Sequence, residues 1–287
     1  MKICPACNNY FMQTTWTCPY CAYSPTLISG HLAFAPELAN ESEGFEAQYF
    51  AQLAEVEADY FWFRARNRLI IWALKRYFSN ARNFLEIGCG TGFVLSGIEQ
   101  AFPNLTLYGS EIFTNGLEFA AQRLVNVELF QMDARYIPFY SEFQVIGAFD
   151  VLEHIQDDET VLKEMYKATI QGGGIILTVP QHPWLWSQTD EYAHHVRRYQ
   201  ANELKVKLEK SGFKIVRMTS FVSLLLPLMA LSRLKQQKPN LDALSEFRIS
   251  RVTNYLLEII LDMERGIIRA GVSLPVGGSL LVVANKL

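Results

Sequence analysis

Three features of the 287-residue sequence predict an α/β fold, doubly wound around a mostly parallel sheet of seven strands. Strand-like and helix-like stretches alternate from residue 83 onwards, the pattern of crossover connections in a parallel sheet. A glycine-rich turn, Gly88-Cys89-Gly90-Thr91-Gly92, follows the first of these strands and opens the next helix. Acidic residues, Glu111 and Asp133, end the following two strands, on the edge where such a sheet binds its ligands.

Composition narrows the function classes. Hydrophobic residues make up 50% of the chain and charged ones 19%, which excludes disorder. A formal net charge of −3 and a pI near 6.0 give no strong signal for nucleic acid. The start lacks an apolar signal segment, so a cytoplasmic location is expected. Phe221 to Leu231, interrupted by Ser223 and Pro227, is too short to span a membrane. A mean hydropathy of +0.06 leaves apolar surface for a partner or for peripheral membrane contact.

The elements follow in order. Residues 1–28 carry Cys4, Cys7, Cys18 and Cys21, two Cys-Pro-x-Cys turns whose thiolates suit the closed tetrahedral shell of a structural zinc. Four unrelated thiols, or two disulfides, are the alternative. This zinc ribbon has Lys2 as its one charged side chain but five aromatics, Tyr10, Phe11, Trp16, Tyr20 and Tyr23. That composition fits packing on the main domain or on a protein partner better than phosphate tracking. Residues 29–82 form a helical N-terminal cap, with Glu41 to Phe78 read as two helices.

Residues 83–219 form the cofactor-binding core. Its strands are Asn83–Ile87, Leu105–Ser110, Val127–Met132, Gln144–Phe149, Ile175–Val179 and Lys214–Met218, with helices at Gly92–Phe102, Gly116–Leu124, Asp158–Thr169 and Ala201–Ser211. Residues 220–277 are a helical insertion or lid, and residues 278–287 hold the seventh strand, Ser279–Ala284. In the insertion Ile249, Val252, Leu256, Ile259, Ile260 and Met263 predict an apolar face turned inward, with Glu258, Asp262 and Arg265 outside. Residues 221–238, where Leu224 to Leu231 precede Arg233, Lys235 and Lys238, suit a membrane surface, while a lid or dimer interface is the alternative.

Glycines let a ligand approach the backbone, but Phe93 stands where a dinucleotide fingerprint needs its third glycine. Glu111 lies 21 residues beyond Gly90, where a carboxylate can hold both ribose hydroxyls. Asp133, flanked by Met132 and Ala134, can accept from an exocyclic adenine amine. Cys89 reads as a space-filler.

The chain resembles the class I S-adenosylmethionine (SAM)-dependent methyltransferases from about Glu46 to Leu287. The resemblance rests on Leu85-Glu86-Ile87-Gly88-Cys89-Gly90-Thr91-Gly92, Glu111, Asp133 and Phe149-Asp150-Val151-Leu152-Glu153-His154-Ile155. It implies a Rossmann-like sheet whose last strand is inserted antiparallel between the fifth and sixth. It also implies that Glu86, Gly88, Cys89, Gly90, Gly92, Glu111, Ile112, Met132, Asp133, Ala134, Asp150 and Val151 line the cofactor. Trp62 and Arg66, in a segment that covers the cofactor in relatives, join that set, with an aromatic core as the alternative. His154 is the candidate catalytic base, titrating near neutrality, or else a support for the next helix.

After the fifth strand, Pro180 to Tyr199 resembles a segment of bacterial methyltransferases linked to glycan, lipid or quinone pathways. His195, Arg197 and Tyr199 are its candidate substrate residues, with Arg197 and Arg198 suiting an anionic acceptor or else pairing with Asp190 or Glu191. The expected function is SAM-dependent methyl transfer to a small-molecule, glycan- or lipid-linked acceptor, with O-methylation favoured. A catalytically silent adenosine-ligand scaffold and an RNA methyltransferase are the alternatives.

Overall fold

The computed structural model describes residues 1–39, 47–235 and 249–287, and within them the alternation read from the sequence is present. Two short strands, β1 (Lys2–Ile3) and β2 (Tyr10–Phe11), pair antiparallel across the cysteine module. A hairpin follows, β3 (Thr26–Ile28) and β4 (His31–Ala33). The cap contributes α1 (Ala47–Val56) and α2 (Phe61–Tyr77), two helices as expected, while residues 41–46 of the predicted stretch lie outside the described residues.

The core runs β5 (Asn83–Ile87), α3 (Phe93–Ala101), β6 (Thr106–Glu111), α4 (Thr114–Arg123), β7 (Val127–Gln131), β8 (Phe143–Phe149) and α5 (Asp158–Ala168). Then come β9 (Thr169–Pro180), α6 (Gln188–Tyr192), α7 (Ala201–Lys210), β10 (Lys214–Phe221), α8 (Leu226–Lys235), α9 (Arg251–Arg269) and β11 (Ser279–Asn285). Local signals set several boundaries. The Asp157 carboxylate caps α5 by accepting from the Thr160 amide at 3.2 Å, and the Ser250 hydroxyl caps α9 by accepting from Thr253 at 3.1 Å.

The sheet is ordered β10-β11-β9-β8-β5-β6-β7-β4-β3. Its centre, β9 to β7, is parallel, and β11 is antiparallel to both β9 and β10. All seven predicted strands are present, and two more extend the β7 edge because β4 pairs parallel with β7. That hairpin turns on Ser29 and Gly30, at φ +48° and +83°, the paired left-handed conformation of a two-residue hairpin loop. The Ser29-Gly30 pair between Thr26–Ile28 and His31–Ala33 was the signal for it.

Each face of the sheet is covered. Val161, Leu162 and Met165 of α5, with Leu204 and Leu208 of α7, pack on one face beside Trp16 and Phe34. Leu69 and Ile70 of α2, Leu95 of α3, Leu117 of α4 and Leu261 of α9 cover the other. The cysteine module is therefore part of the core. Ile3 donates its amide to Pro138 at 2.9 Å, Tyr140 donates to Met1 at 2.8 Å, and the Trp16 ring lies 4.3 Å from Phe34 and 5.3 Å from Phe139.

The insertion holds the expected amphipathic helix, and Ile249 and Ile260 pack against the core, but the rest of its apolar face turns outward. Val252, Leu256, Ile259 and Met263 are exposed on α9, whereas Glu258 turns inward and pairs with Arg64 and Arg68 of α2. Asp262 joins the same seam, 3.1 Å from both Arg68 and Arg265. Arg64 and Arg68, one turn apart on α2, pair with the polar side of α9, so that side meets α2 and the apolar stripe faces outward. Leu261 and Ile268 remain the buried apolar contacts, and Glu264 accepts from the Leu224 amide at 2.7 Å, tying α9 to the turn after β10. Lys238 lies outside the described residues, and among those described no helix is long and apolar enough to cross a membrane.

Replacing Trp16 by Ala removes a side chain only 9% exposed from this shared core. The expected cost is about 3 kcal/mol of unfolding free energy in denaturant titration, the order for a large core aromatic. A loss below about 1 kcal/mol would mean the module does not contribute to the common core.

Candidate active site

The strand order reverses at β5, which has β6 on one side and β8 on the other, so a crevice opens at the carboxyl ends of these strands. The glycine turn leaves β5 there. Gly88 has φ +66°, and a Cβ on it would fall 2.5 Å from Val151 Cγ2. Gly92, at φ +75°, would press a Cβ to 3.1 Å from the Ala120 backbone of α4. Neither position accepts a side chain, and the turn presents bare backbone.

Glu111 closes the turn from the neighbouring strand. Its carboxylate accepts from the Gly90 amide at 3.0 Å and from the Ile112 amide at 2.8 Å, and burial raises its pKa against these bonds. Glu86 is also buried, its carboxyl pushed well up by desolvation, and its Oε2 has no hydrogen-bond partner among the described residues. Burial likewise raises the Cys89 thiol well above its ordinary range, which keeps it protonated and inert.

Behind the turn lies a network the sequence did not announce. The Thr91 hydroxyl donates to Glu57 at 2.7 Å, Arg123 of α4 pairs with Glu57, and Arg123 also donates to the Thr91 carbonyl at 3.1 Å. Glu57, in the link between α1 and α2, thereby anchors the cap to the glycine turn. Its proximity to Tyr60 and Arg66 in sequence was the available sign.

At the ends of β7 and β8 the remaining predicted residues gather. Met132 and Ala134 are buried, and Asp133 between them is paired with Arg135 at 2.7 Å. Asp150 holds φ +58°, a left-handed conformation uncommon for a non-glycine residue, and its carboxylate pairs with Arg66 and accepts from Thr178 at 3.2 Å. The Arg66 guanidinium lies 4.5 Å over the Trp62 ring, so both α2 residues reach this edge.

His154 sits in the 3-10 turn Leu152–His154 just past β8. Burial pushes its pKa down to about 3, with the neighbouring His195 adding to the effect. The imidazole is therefore neutral at physiological pH and a poor proton acceptor, which departs from the expectation of a base titrating near neutrality. Of the segment after β9, His195 comes closest, its ring 4.7 Å from that of His154. Arg197 and Tyr199 go elsewhere. Arg197 pairs with Asp158 at 2.6 Å, and the fully buried Tyr199 donates to the same carboxylate at 2.6 Å, so both brace α5 and are not brought to the crevice.

The methyltransferase domain family matches residues 53–218. The chain belongs to that family. As a methyltransferase-domain protein it is 31% identical over 108 residues to the demethylmenaquinone methyltransferase of Geobacillus sp. (strain WCH70), a match covering 35% of this chain and 46% of the relative. It is 24% identical over 190 residues to the biotin biosynthesis bifunctional protein BioHC of Teredinibacter turnerae, covering 59% of this chain and 32% of that protein. The chain thus spans less than half the length of these curated relatives. Among solved structures, a SAM-dependent methyltransferase from Thermotoga maritima superposes with a TM-score of 0.52 at 16% identity, covering 84% of this chain and 95% of that one. This likeness shows the shared methyltransferase-domain fold.

Asp190 organises the segment after β9 in this methyltransferase-domain chain. Burial alone would raise its carboxyl, but the His195 hydrogen bond and the Arg198 charge, each at 2.8 Å, hold it down at about 2, below its ordinary 3.8. A carboxyl depressed on folding stabilises the fold above its unfolded pKa and loses that contribution as pH falls through the folded value. Asp190→Asn is expected to lower unfolding free energy near neutral pH by about 2 kcal/mol, the gap to wild type narrowing from about pH 4 towards about pH 2. Chemical denaturation across that range checks it, and a gap independent of pH would contradict the assignment.

Proposed function

We propose that this chain binds SAM in the crevice at β5, β6 and β7 and catalyses methyl transfer to a small-molecule, glycan- or lipid-linked acceptor. The observation that carries the reading is the Glu111 carboxylate, buried and fastened to the Gly90 amide. It fixes an acid beside a backbone cradle that accepts no side chain, as a ribose and its attached chain require. Bound SAM supplies a sulfonium-linked methyl group for in-line displacement. Glu111 would hold the ribose hydroxyls, Asp133 with Met132 and Ala134 the adenine, and the unpartnered Glu86 oxygen would meet the cationic amino group. Ile112, Asp150, Val151, Trp62 and Arg66 would complete the wall.

The acceptor would enter from the side of His154 and His195, with O-methylation favoured. A lipid-linked acceptor suits the exposed Leu224, Leu228 and Leu231, apolar side chains fit for peripheral membrane contact. Such a protein would work in the cytoplasm.

The cysteine module fits zinc. The Sγ atoms of Cys4 and Cys21 lie 3.6 Å apart and those of Cys7 and Cys18 3.7 Å apart. Tetrahedral zinc with four thiolates places its sulfurs ~3.8 Å apart, so the cluster is close to the bound geometry. With four protein ligands the metal would be structural, and the exposed Tyr20 and Met12 leave the module a surface for a protein partner.

Calorimetric titration tests the cofactor reading: Glu111→Ala should weaken SAM binding by about 10- to 100-fold, the range for lost hydrogen bonds to a charged group. Unchanged affinity would remove Glu111 from the site. For the module, Cys18→Ser should release zinc, read by metal analysis, and lower the melting temperature; full zinc occupancy would refute the ligand set.

A further inference from the structure

Beside the crevice, two segments bring together a set of side chains that cofactor binding does not use. Glu153 is fully buried in the turn after β8, and both of its carboxylate oxygens lack a hydrogen-bond partner among the described residues. Arg66 and Arg198 act on it only through their charge, so a buried carboxyl group is left with neither oxygen hydrogen-bonded, which is unfavourable. The His195 Nε2 lies 4.0 Å from Glu153 Oε1. One ligating atom each from Glu153, His154 and His195 falls within 4.8 Å of the others.

The surroundings fix these groups in place. Asp190 accepts from His195 Nδ1 at 2.8 Å, so in the neutral imidazole Nε2 turns its lone pair towards Glu153. Asp190 is itself held by the Ser187 amide at 2.9 Å, the Ser187 hydroxyl at 3.0 Å and Arg198 at 2.8 Å. The Val196 amide donates to the Glu153 carbonyl at 2.8 Å and locks the two segments together. The His154 ring faces the backbone carbonyls of Ala193 and Asp150, either of which can hold one ring N–H and so orient the other nitrogen. A carboxylate behind one imidazole and backbone behind the other is the support that metal-ligating histidines receive.

We propose that Glu153, His154 and His195 bind a divalent first-row transition ion, distinct from the metal of the cysteine module. Two imidazoles and one carboxylate suit zinc or iron(II) and leave coordination positions open. The bound shell needs ligand atoms ~3.4 Å apart for a tetrahedral ion at ~2.1 Å, so the three groups close in slightly around the metal. The ion would give the Glu153 carboxylate the direct partner that neither of its oxygens has among the described residues.

Its role rests on the methyl-transfer reading and deepens it to acceptors that present a hydroxyl oxygen. The metal takes that oxygen and lowers its pKa, and the hydroxyl proton passes to solvent water. The oxygen lone pair then forms the bond to the methyl carbon as the carbon–sulfur bond breaks, its electron pair neutralising the sulfonium. This removes the need for a strong base at His154.

Cobalt(II) titration of the metal-free, reduced full chain, followed by absorption, tests the site. The cysteine module should take one equivalent with intense sulfur-to-cobalt charge transfer, and a second equivalent should add weaker ligand-field bands without it. Glu153→Gln and His195→Gln should each keep the first signal and weaken the second on the order of 100-fold. Retention of the first signal shows that the variants fold. Saturation of the wild type by thiolate-bound cobalt alone, or a second signal unchanged in both variants, overturns the proposal. SAM calorimetry on the same samples tests the methyl-transfer reading separately, since cobalt binding at Glu153 does not depend on it.

Discussion

The strand order β6-β5-β8 is the constraint on which the rest depends. Because β5 is paired on both sides by parallel strands, its carboxyl end cannot be covered by either crossover, and a crevice stays open there. The glycine turn, Glu111, Asp150 and His154 all leave these strand ends. Glu111 reaches across from β6 to the Gly90 amide, which binds two separate crossovers into one wall. The burial of Glu86 and Glu111 in that wall follows from the same geometry, since central strands are covered on both faces.

Cap and module act as supports for this arrangement from opposite sides. Glu57 and Arg123 meet at Thr91, so the link between α1 and α2 is fastened to the glycine turn by charge rather than by apolar contact alone. Arg66 does the same at Asp150, where left-handed backbone is retained at the end of β8. Across the sheet, the cysteine module binds the chain just beyond Asp133 through Pro138 and Tyr140, placing its core beside the far end of the crevice. A module this small cannot enclose a core of its own, and it gains stability by sharing that of the main domain.

The segment after β9 shows how charge can be allocated in a site. Asp158 gathers Arg197, Tyr199 and Lys207, while Asp190 gathers His195 and Arg198. The first cluster braces α5 against α7. The second directs an imidazole towards the fully buried Glu153. Neighbouring residues in one short stretch therefore serve different purposes, and only their carboxylate partners distinguish them.

Much of this was legible in the chain. Periodicity located all seven core strands because buried parallel strands are continuous apolar runs bounded by turn residues. The places of the glycine turn, Glu111 and Asp133 were legible because each follows a predicted strand, and the clustering of the four cysteines because their spacing encodes a shared point. The hairpin on the β7 edge was missed because its strands are only three residues each.

Other features depended on contacts between distant residues, which no local pattern carries. The outward apolar face of α9 was decided by Arg64 and Arg68, nearly two hundred residues away in sequence. The weakness of His154 as a base was decided by how deeply the fold buries it, and the fate of Arg197 and Tyr199 by Asp158. Sequence alone determined the architecture and the position of the crevice, since short-range periodicity and turn chemistry govern both. Tertiary structure decided which polar groups face that crevice and in what protonation state, because burial and ion pairing are properties of the assembled chain.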